Sequence, residues 1–372
     1  MAGAASAVAL AKTGVQVTVY EAWEDPAGPV GSFLSLAANG LRGLEVLGAL
    51  EAVRAAGFAV PRQRMWAGNG KLLGDVPRGR TGADPMISVT LMRADLVRVL
   101  RAEARRAGAE IVTGQRLDRG ELAAATAGAD VVVGADGIWS ATRRFLDPGA
   151  PEPAYAGQYS VSGVSPGLGL EPGSWNMIYG RHGAFIWLPV ADGSVWWSAQ
   201  VSSPEPAAAG AADLDRLAEL YQAEERAASI LRAAGTVHGV TSMHVLKPVP
   251  RWHDDRTVLV GDAAHPVGSG QGASMAIEDA IVLARELQRV GSVAGALAGY
   301  DQRRRDRVAK MARTAAANRD AKVAGPVAAR LRNLIMPVMF PRFYEKATAW
   351  LYAYDPGPLA GVASIDIERA DG

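Results

Sequence analysis

The residues best placed to do chemistry lie in two short stretches. The first is RTVLVGDAAHPVGSGQGASMAIEDAIVLAREL, residues 256 to 287. Its apolar, β-branched run Thr257 to Val260 reads as a buried strand of a parallel sheet. Gly261 and Asp262 end that strand, and a glycine-rich turn (Gly268, Gly270, Gly272) follows. A helix then begins near Ala273, with Ile277, Ala280, Ile281, Ala284 and Leu287 in one apolar stripe and Gly291 as its stop. Strand, glycine turn and helix N-terminus offer an anion unpaired backbone N–H groups and the positive end of a dipole. Asp262, at the strand end, is placed to accept from sugar-type hydroxyls. The second stretch is ADVVVGADGIWSATR, residues 129 to 143. Val131 to Val133 reads as a strand, Asp136-Gly137 as a tight turn in which glycine tolerates positive φ, and Ser140 and Arg143 follow at fixed offsets. An Asp-Gly pair is also the commonest of plain turns.

The elements that must position these groups begin at the first residue. Ala4 to Lys12 reads as a helix of small residues with Gly14 at its C-terminal cap, and Val15, Val17 and Val19 alternate as a strand closed by Glu21. Helix, strand and acid form the second half of a dinucleotide fingerprint, in which the acid holds ribose hydroxyls. Gly3 falls where the third glycine of GxGxxG belongs. A first strand and two glycines would normally precede it, so the expectation is that the natural protein starts upstream of Met1. Around Gly31-Ser32 a turn is expected, followed by a helix carrying Leu41, Leu44 and Leu47. Arg93 opens the helix of LMRADLVRVLRAEARRAG. A cation at that end gains nothing from the dipole, which suits either a solvated side chain or an anionic partner.

Trp66 to Val76 reads as short strands, Leu214 to Ala233 as helical, and Gly180 to Gln200 as a hairpin turning at Asp192-Gly193. Trp187, Trp196 and Trp197 on those strands either line an apolar pocket or pack as core, the commoner fate. Arg181 and His182 at the hairpin's start could meet a substrate carboxylate or phenolate, or simply face solvent. From Ala294 the chain is helical and basic. Pro337 and Pro341 are expected to break its last helical pattern, and packing on the preceding domain or on a second copy in a homodimer outranks a membrane-surface role. The residues from Gly361 are expected to fray.

A chain of 372 residues suits two intertwined domains, and 49% apolar content supplies a large core. A net charge of +1 gives no reason to invoke nucleic acid or an anionic membrane. Without cysteine there is no disulfide framework or redox dithiol. No run reaches the length of a membrane span, and a cytoplasmic protein is expected. The five histidines lie apart, so no metal site is expected, and neither a G-x-S-x-G elbow nor a P-loop occurs.

The run GDAAHPxxxGQGxxxAIEDA resembles the second FAD-contacting motif of the class A flavoprotein monooxygenases, the aromatic-ring hydroxylases of the para-hydroxybenzoate hydroxylase type. GADGxxSxxR, with Asp136, Gly137, Ser140 and Arg143, resembles their DG fingerprint, which serves both the FAD pyrophosphate and the passing nicotinamide cofactor. The pattern from Arg93 resembles their helix whose Arg reaches the ribityl and phosphate region of FAD. The resemblance spans residue 1 to about 310. It implies an α/β fold: an FAD-binding doubly wound (Rossmann-like) domain, an inserted β-sheet substrate domain and C-terminal helices. The FAD-binding domain would comprise 1–61, 86–150 and 250–305, the substrate domain 62–85 and 151–249, and the C-terminal helical segment 306–372.

The activity implied is FAD-dependent monooxygenation. NAD(P)H reduces the flavin and O2 adds to form a flavin hydroperoxide, which hydroxylates or epoxidises an aromatic or polycyclic small molecule. Amides at Gly270, Gln271, Gly272 and Ala273 would stabilise negative charge on the reduced flavin's pyrimidine ring. His265 is the one imidazole within a fingerprint, and a structural turn role outranks an acid–base one; with Arg181 it completes the catalytic candidates. One departure stands out: the loop from Pro266 to Ser269 is shorter than the family's and lacks a proline near its middle. Two alternatives remain, a non-hydroxylating FAD oxidoreductase and a truncated flavin-binding remnant with an interaction role.

Overall fold

Small residues let the first helix, α1 (Ala2–Lys12), pack closely, and Gly14 turns the chain out of it in the left-handed region (φ 88). The computed structural model describes residues 1–28, 32–208, 210–268, 270–322 and 325–360. After α1 come β1 (Thr18–Glu21), β2 (Phe33–Leu36), α2 (Ala38–Leu47), α3 (Leu50–Ala56), β3 (Phe58–Ala59), β4 (Arg62–Ala67) and β5 (Leu72–Pro77). Next are β6 (Val89–Met92), α4 (Arg93–Arg106), β7 (Glu110–Thr113), α5 (Arg119–Gly128), β8 (Val132–Gly134) and α6 (Ala141–Leu146). The chain continues through β9 (Ala154–Ser165), β10 (Ser174–Gly180), β11 (Gly183–Pro189), β12 (Val195–Ser202), α7 (Leu214–Leu220), α8 (Glu225–Arg232) and β13 (Thr236–Val245). It closes with β14 (Thr257–Leu259), α9 (Gly272–Arg289), α10 (Val293–Lys322) and α11 (Pro326–Tyr352).

Two parallel pairs, β1–β7 and β14–β8, carry the αβ half, beside a small antiparallel sheet ordered β2-β6-β3. Their largest core is the packing of α1, α2 and α10 around α9, with α4 against α1; the α9 stripe Ile277, Ala280, Ile281, Ala284 and Leu287 is buried. The α2–α9 contact is close: a Cβ at Gly43 would lie 2.4 Å from Ile277 Cγ2, so any side chain there would push the helices apart.

The second half is a seven-stranded mixed sheet in the order β13-β9-β12-β11-β10-β4-β5. Period-2 alternation divides its side chains. Phe185, Trp187, Trp197 and Val201 bury against α7 and α8, while Met177, Ile186 and Leu188 face the other way, toward Met336 and Phe340 of α11. The hairpin turns where expected, at Asp192-Gly193, with Gly193 at φ 85 and Val190 N donating to Ser194 O.

Several expectations need correction. The β1 strand is shorter than Val15 to Tyr20, its ladder starting at Thr18. The Leu214 to Ala233 helix is broken between α7 and α8, where Tyr221 donates its hydroxyl to Ala184 O and Gln200 O and Glu224 accepts from Arg181 N. Pro337 and Pro341 lie inside α11 and do not end it. Each costs an amide hydrogen bond, and packing of Met336, Phe340 and Tyr344 on the inner face holds the helix on course. The expected turn at Gly31, Ser269 and the tail from Gly361 lie outside the described residues.

Candidate active site

Gly261 has no freedom to be another residue. Its φ is 57, and a Cβ would meet that of Ala2 at 2.8 Å. This tight turn leaves Asp262 exposed beside the start of α9, where a Cβ at Gly272 would lie 3.8 Å from its Oδ1. Among the described residues its carboxylate accepts no hydrogen bond and stays open to solvent, yet the surrounding protein crowds it. Desolvation therefore raises its pKa, with His265 and the Met1 amino group pulling it back. Beyond it, α9 starts without a side-chain cap, and a Cβ at Gly270 (φ 112) would meet nothing within 4 Å. The first-turn amides around Gly272 and Ala273 thus face an open space. Arg93 and Glu21 belong to the same surroundings. With Asp262 their charges all act on the buried Met1 amino group, whose pKa is lowered by desolvation first and Arg93 second. Glu21 Oε1 accepts from Trp23 N at 3.1 Å. Gly3 begins α1 next to Ala135, which a Cβ would touch at an ordinary 3.4 Å.

The second stretch is turned inward on itself. Asp136 accepts from the Ser140 hydroxyl and from Thr142 N and Oγ1 at 2.9 and 3.0 Å, so both its oxygens are engaged within the loop. Ser140 caps α6 through Arg143 N. Arg143 is fully buried and donates to Ile138 O (2.7 Å) and across to Ala263 O (3.0 Å). Asp136 and Arg143 therefore clamp this loop to the Asp262 turn. The free groups it presents outward are backbone, at Gly137 (φ 78), whose Cβ position is open.

His265 is buried, and its Nε2 shares a hydrogen bond of 2.7 Å with Asp279. Asp279 also accepts from Gly261 N (2.8 Å) and Arg304 Nε (2.7 Å). Glu278 binds Arg304, Arg307 and Asn39 Nδ2, and Asn39 reaches on to Gln271 Oε1 at 3.3 Å. Desolvation alone would raise the Asp279 carboxyl, but His265 and Arg304 outweigh it and hold the group well below the usual range. The result is a buried network of two arginines, two carboxylates, an imidazole and two amides beneath the glycine loop. His265 is thereby a structural member and not a group presented to substrate. Asn39, Glu278, Asp279, Arg304 and Arg307 escaped the sequence reading. A signal was present: two adjacent carboxylates on an otherwise apolar helix require buried cations.

Opposite the loop, β12 turns Trp196, Ser198 and Gln200 away from the α7–α8 core. Trp196 stands edge-on to Phe58 and tilted against Phe33. Trp187 and Trp197 are core on the other face. Arg181 and His182 are exposed at the β10–β11 turn, so Arg181 is not brought into the cleft. Among the described residues no cluster could hold a metal ion.

An open glycine turn, an uncapped helix N-terminus, an unpartnered carboxylate and an arginine side by side fit a flavin dinucleotide, which carries hydroxyls, phosphates and an electron-accepting ring. A family model described as an FAD binding domain matches residues 1–315. The 3-hydroxybenzoate 6-hydroxylase 1 of Aquipseudomonas alcaligenes is 30% identical over 380 residues, covering 94% of each chain. The aurachin C monooxygenase/isomerase of Stigmatella aurantiaca is 29% identical over 331 residues, covering 81% of this chain and 82% of its own. Among solved structures, Klebsiella pneumoniae HpxO complexed with FAD and uric acid superposes with a TM-score of 0.79 at 22% identity, covering 96% of this chain and 95% of that one. A salicylate hydroxylase substrate complex gives 0.73 at 21%, covering 96% and 94%. The chain belongs to the FAD-binding family of class A aromatic hydroxylases. It is an FAD-carrying oxidoreductase of the monooxygenase type.

Proposed function

We propose that this enzyme uses NAD(P)H and O2 to hydroxylate a small aromatic ring. One oxygen atom enters a ring C–H bond and the other leaves as water, the two electrons coming from NAD(P)H. The observation that carries the reading is the turn that leaves the Asp262 carboxylate without a hydrogen-bond partner among the described residues, beside the uncapped N-terminus of α9. Bound FAD supplies the oxygen-activating chemistry. In this reading Asp262 binds a ribityl hydroxyl, Glu21 the adenosine ribose, and Arg93 the phosphate region. Gly3 lets α1 approach the pyrophosphate, and the Gly270, Gln271, Gly272 and Ala273 backbone sets the potential at the flavin ring. Asp136 and Gly137 shape the neighbouring wall, Asp136 acting through the clamp with Arg143. The apolar floor excludes water and orients a flat ring. The FAD-binding part would then be 1–61, 86–150 and 250–305, and the substrate part 62–85 and 151–249. Relatives of the chain act, by their names, on 3-hydroxybenzoate, aurachin C, urate and kynurenine, all aromatic or fused-ring compounds.

The test is substrate-stimulated NAD(P)H oxidation across phenols, aromatic acids and polycyclic quinones under labelled O2. Label in the product is expected; label arriving from water overturns the reading. We infer also that the chain forms a homodimer through α11, which exposes Leu331, Leu334, Ile335 and Val338 along one side. A monomer in sedimentation, unchanged by Leu334→Asp, would refute it.

A further inference from the structure

Lys322 ends α10 in a place where a cation is costly. Its Nζ donates to Gln200 Oε1 at 2.8 Å, and among the described residues it has no carboxylate partner. Gln200 is itself buried, on the face of β12 shared by Ser198 and Trp196, and its ladder neighbours are Ala184 and Ser160. In the same row, Tyr179 of β10 lies opposite Ala184 and carries the Arg332 guanidinium 3.9 Å above its ring. Arg332 donates in turn to Ala321 O, next to Lys322. Two cations therefore stand over one row of the sheet with an amide and a phenol as their companions.

The same helix connects this spot to the flavin loop. A Cβ at Gly268 would sit 3.9 Å from that of Ala315. Ala315 and Lys322 are seven residues apart in α10, hence on one face and about 10 Å apart along the axis. Lys322 is thus two turns beyond the loop that borders the flavin, at the polar end of an otherwise apolar floor. Arg78 shows how the protein settles a buried cation that needs no ligand: its guanidinium stacks 4.1 Å from the Trp175 ring and donates to Gln63. Lys322 has no aromatic face, and a single side-chain acceptor takes only one of its three N–H donors.

Resting on the hydroxylase reading above, we propose that Lys322, presented on Gln200, is the substrate-anchoring residue and that it takes the carboxylate of an aromatic acid. The carboxylate replaces Gln200 or joins it as acceptor. Arg332 adds a second positive charge nearby, while Ser198 offers a hydroxyl along the strand.

The experiment uses the FAD-loaded full chain and reads dissociation constants from ligand-induced changes in flavin absorbance, with monohydroxybenzoates and the matching hydroxybenzamides as probes. Lys322→Met should weaken benzoate binding by about tenfold or more and benzamide binding by less than about threefold, the difference expected for one hydrogen bond to a charged group. Lys322→Arg should restore benzoate binding to within about threefold, since it keeps the charge. Equal losses for both probe classes would overturn the assignment, as would a wild type that binds no benzoate or prefers the amides. The two readings fail separately. NAD(P)H oxidation stimulated only by neutral aromatics upholds the hydroxylase and overturns the Lys322 anchor. Lys322-dependent benzoate binding without any stimulated oxidation upholds the anchor and overturns the hydroxylase.

Discussion

Two of the places where this protein shelters a cation, the fully buried Arg304 and the half-buried Lys322, do so in opposite ways. Beneath the glycine loop, Arg304 is fully buried between Glu278 and Asp279, and Arg307 pairs with Glu278. Charge there is balanced inside the protein, each arginine pairing with a carboxylate. At the sheet, Lys322 meets among the described residues only the Gln200 amide, and desolvation holds its pKa down to about 8. A buried ion pair that satisfies itself fixes geometry, here the turn that presents Asp262 and the N-terminus of α9. A buried charge without its counterpart stores affinity for a ligand of opposite sign. The contrast separates a foundation from a binding surface, although both are clusters of titratable side chains near one cleft.

The comparison breaks most visibly at Arg304. Arg304→Met would leave Glu278 and Asp279 in the interior with one cation between them. The expected loss is about 3–5 kcal/mol, a large part of the roughly 5–15 kcal/mol that holds a domain together. Thermal melting of the FAD-loaded protein should fall steeply, and FAD should be lost with the fold. A variant that melts like the parent would mean that the network is not the foundation of the loop.

Asp262 sharpens the contrast from the other side. It has no hydrogen-bond partner among the described residues, so Asp262→Ala should leave the apoprotein's melting temperature almost unchanged. FAD retention should weaken by about 1.5–3 kcal/mol, the range for hydrogen bonds to charged groups. Equilibrium dialysis of flavin measures this. Undiminished retention would remove Asp262 from the cofactor site.

How much of this was legible in the sequence depends on the distance over which residues speak to each other. The strand, glycine turn and helix from Thr257 to Leu287 are written in local periodicity, and so is the hairpin at Asp192-Gly193. The bonds that make the site rigid are not local: Asn39 reaches Glu278 across 239 residues, and Arg143 reaches Ala263 across 120. Asp136 had the right spacing for a ligand, yet spacing could not reveal that Ser140 and Thr142 already occupy its oxygens. Pro337 and Pro341 misled because a local rule about proline was overridden by the packing of Met336, Phe340 and Tyr344. Lys322 is the extreme case, an ordinary lysine at the end of a basic helix until the fold brings Gln200 beneath it.

The smallest expected effect tests whether Lys322 is desolvated in solution. Its folded pKa of about 8 lies below the ordinary 10.5, so between those values the unfolded chain holds a proton that the folded chain has released. Stability contributed by this group therefore rises with pH from about 8 to 10.5, and below pH 8 the charged lysine imposes a constant penalty on the fold. The groups facing it are the Gln200 amide, the Tyr179 phenol and the Arg332 guanidinium. Tyr179 is itself pushed up by desolvation, against the pull of Arg332. Since Tyr179 and Arg332 persist in Lys322→Met, the difference between variant and parent isolates the lysine. At pH 7 the variant should be the more stable by of order 1–3 kcal/mol, with the gap closing as pH approaches 10. A saturating hydroxybenzoate should shrink the gap at pH 7 as well, because it supplies the missing negative charge to the parent alone. A gap that is absent, or flat in pH, would show Lys322 to be hydrated and would dissolve the contrast with Arg304.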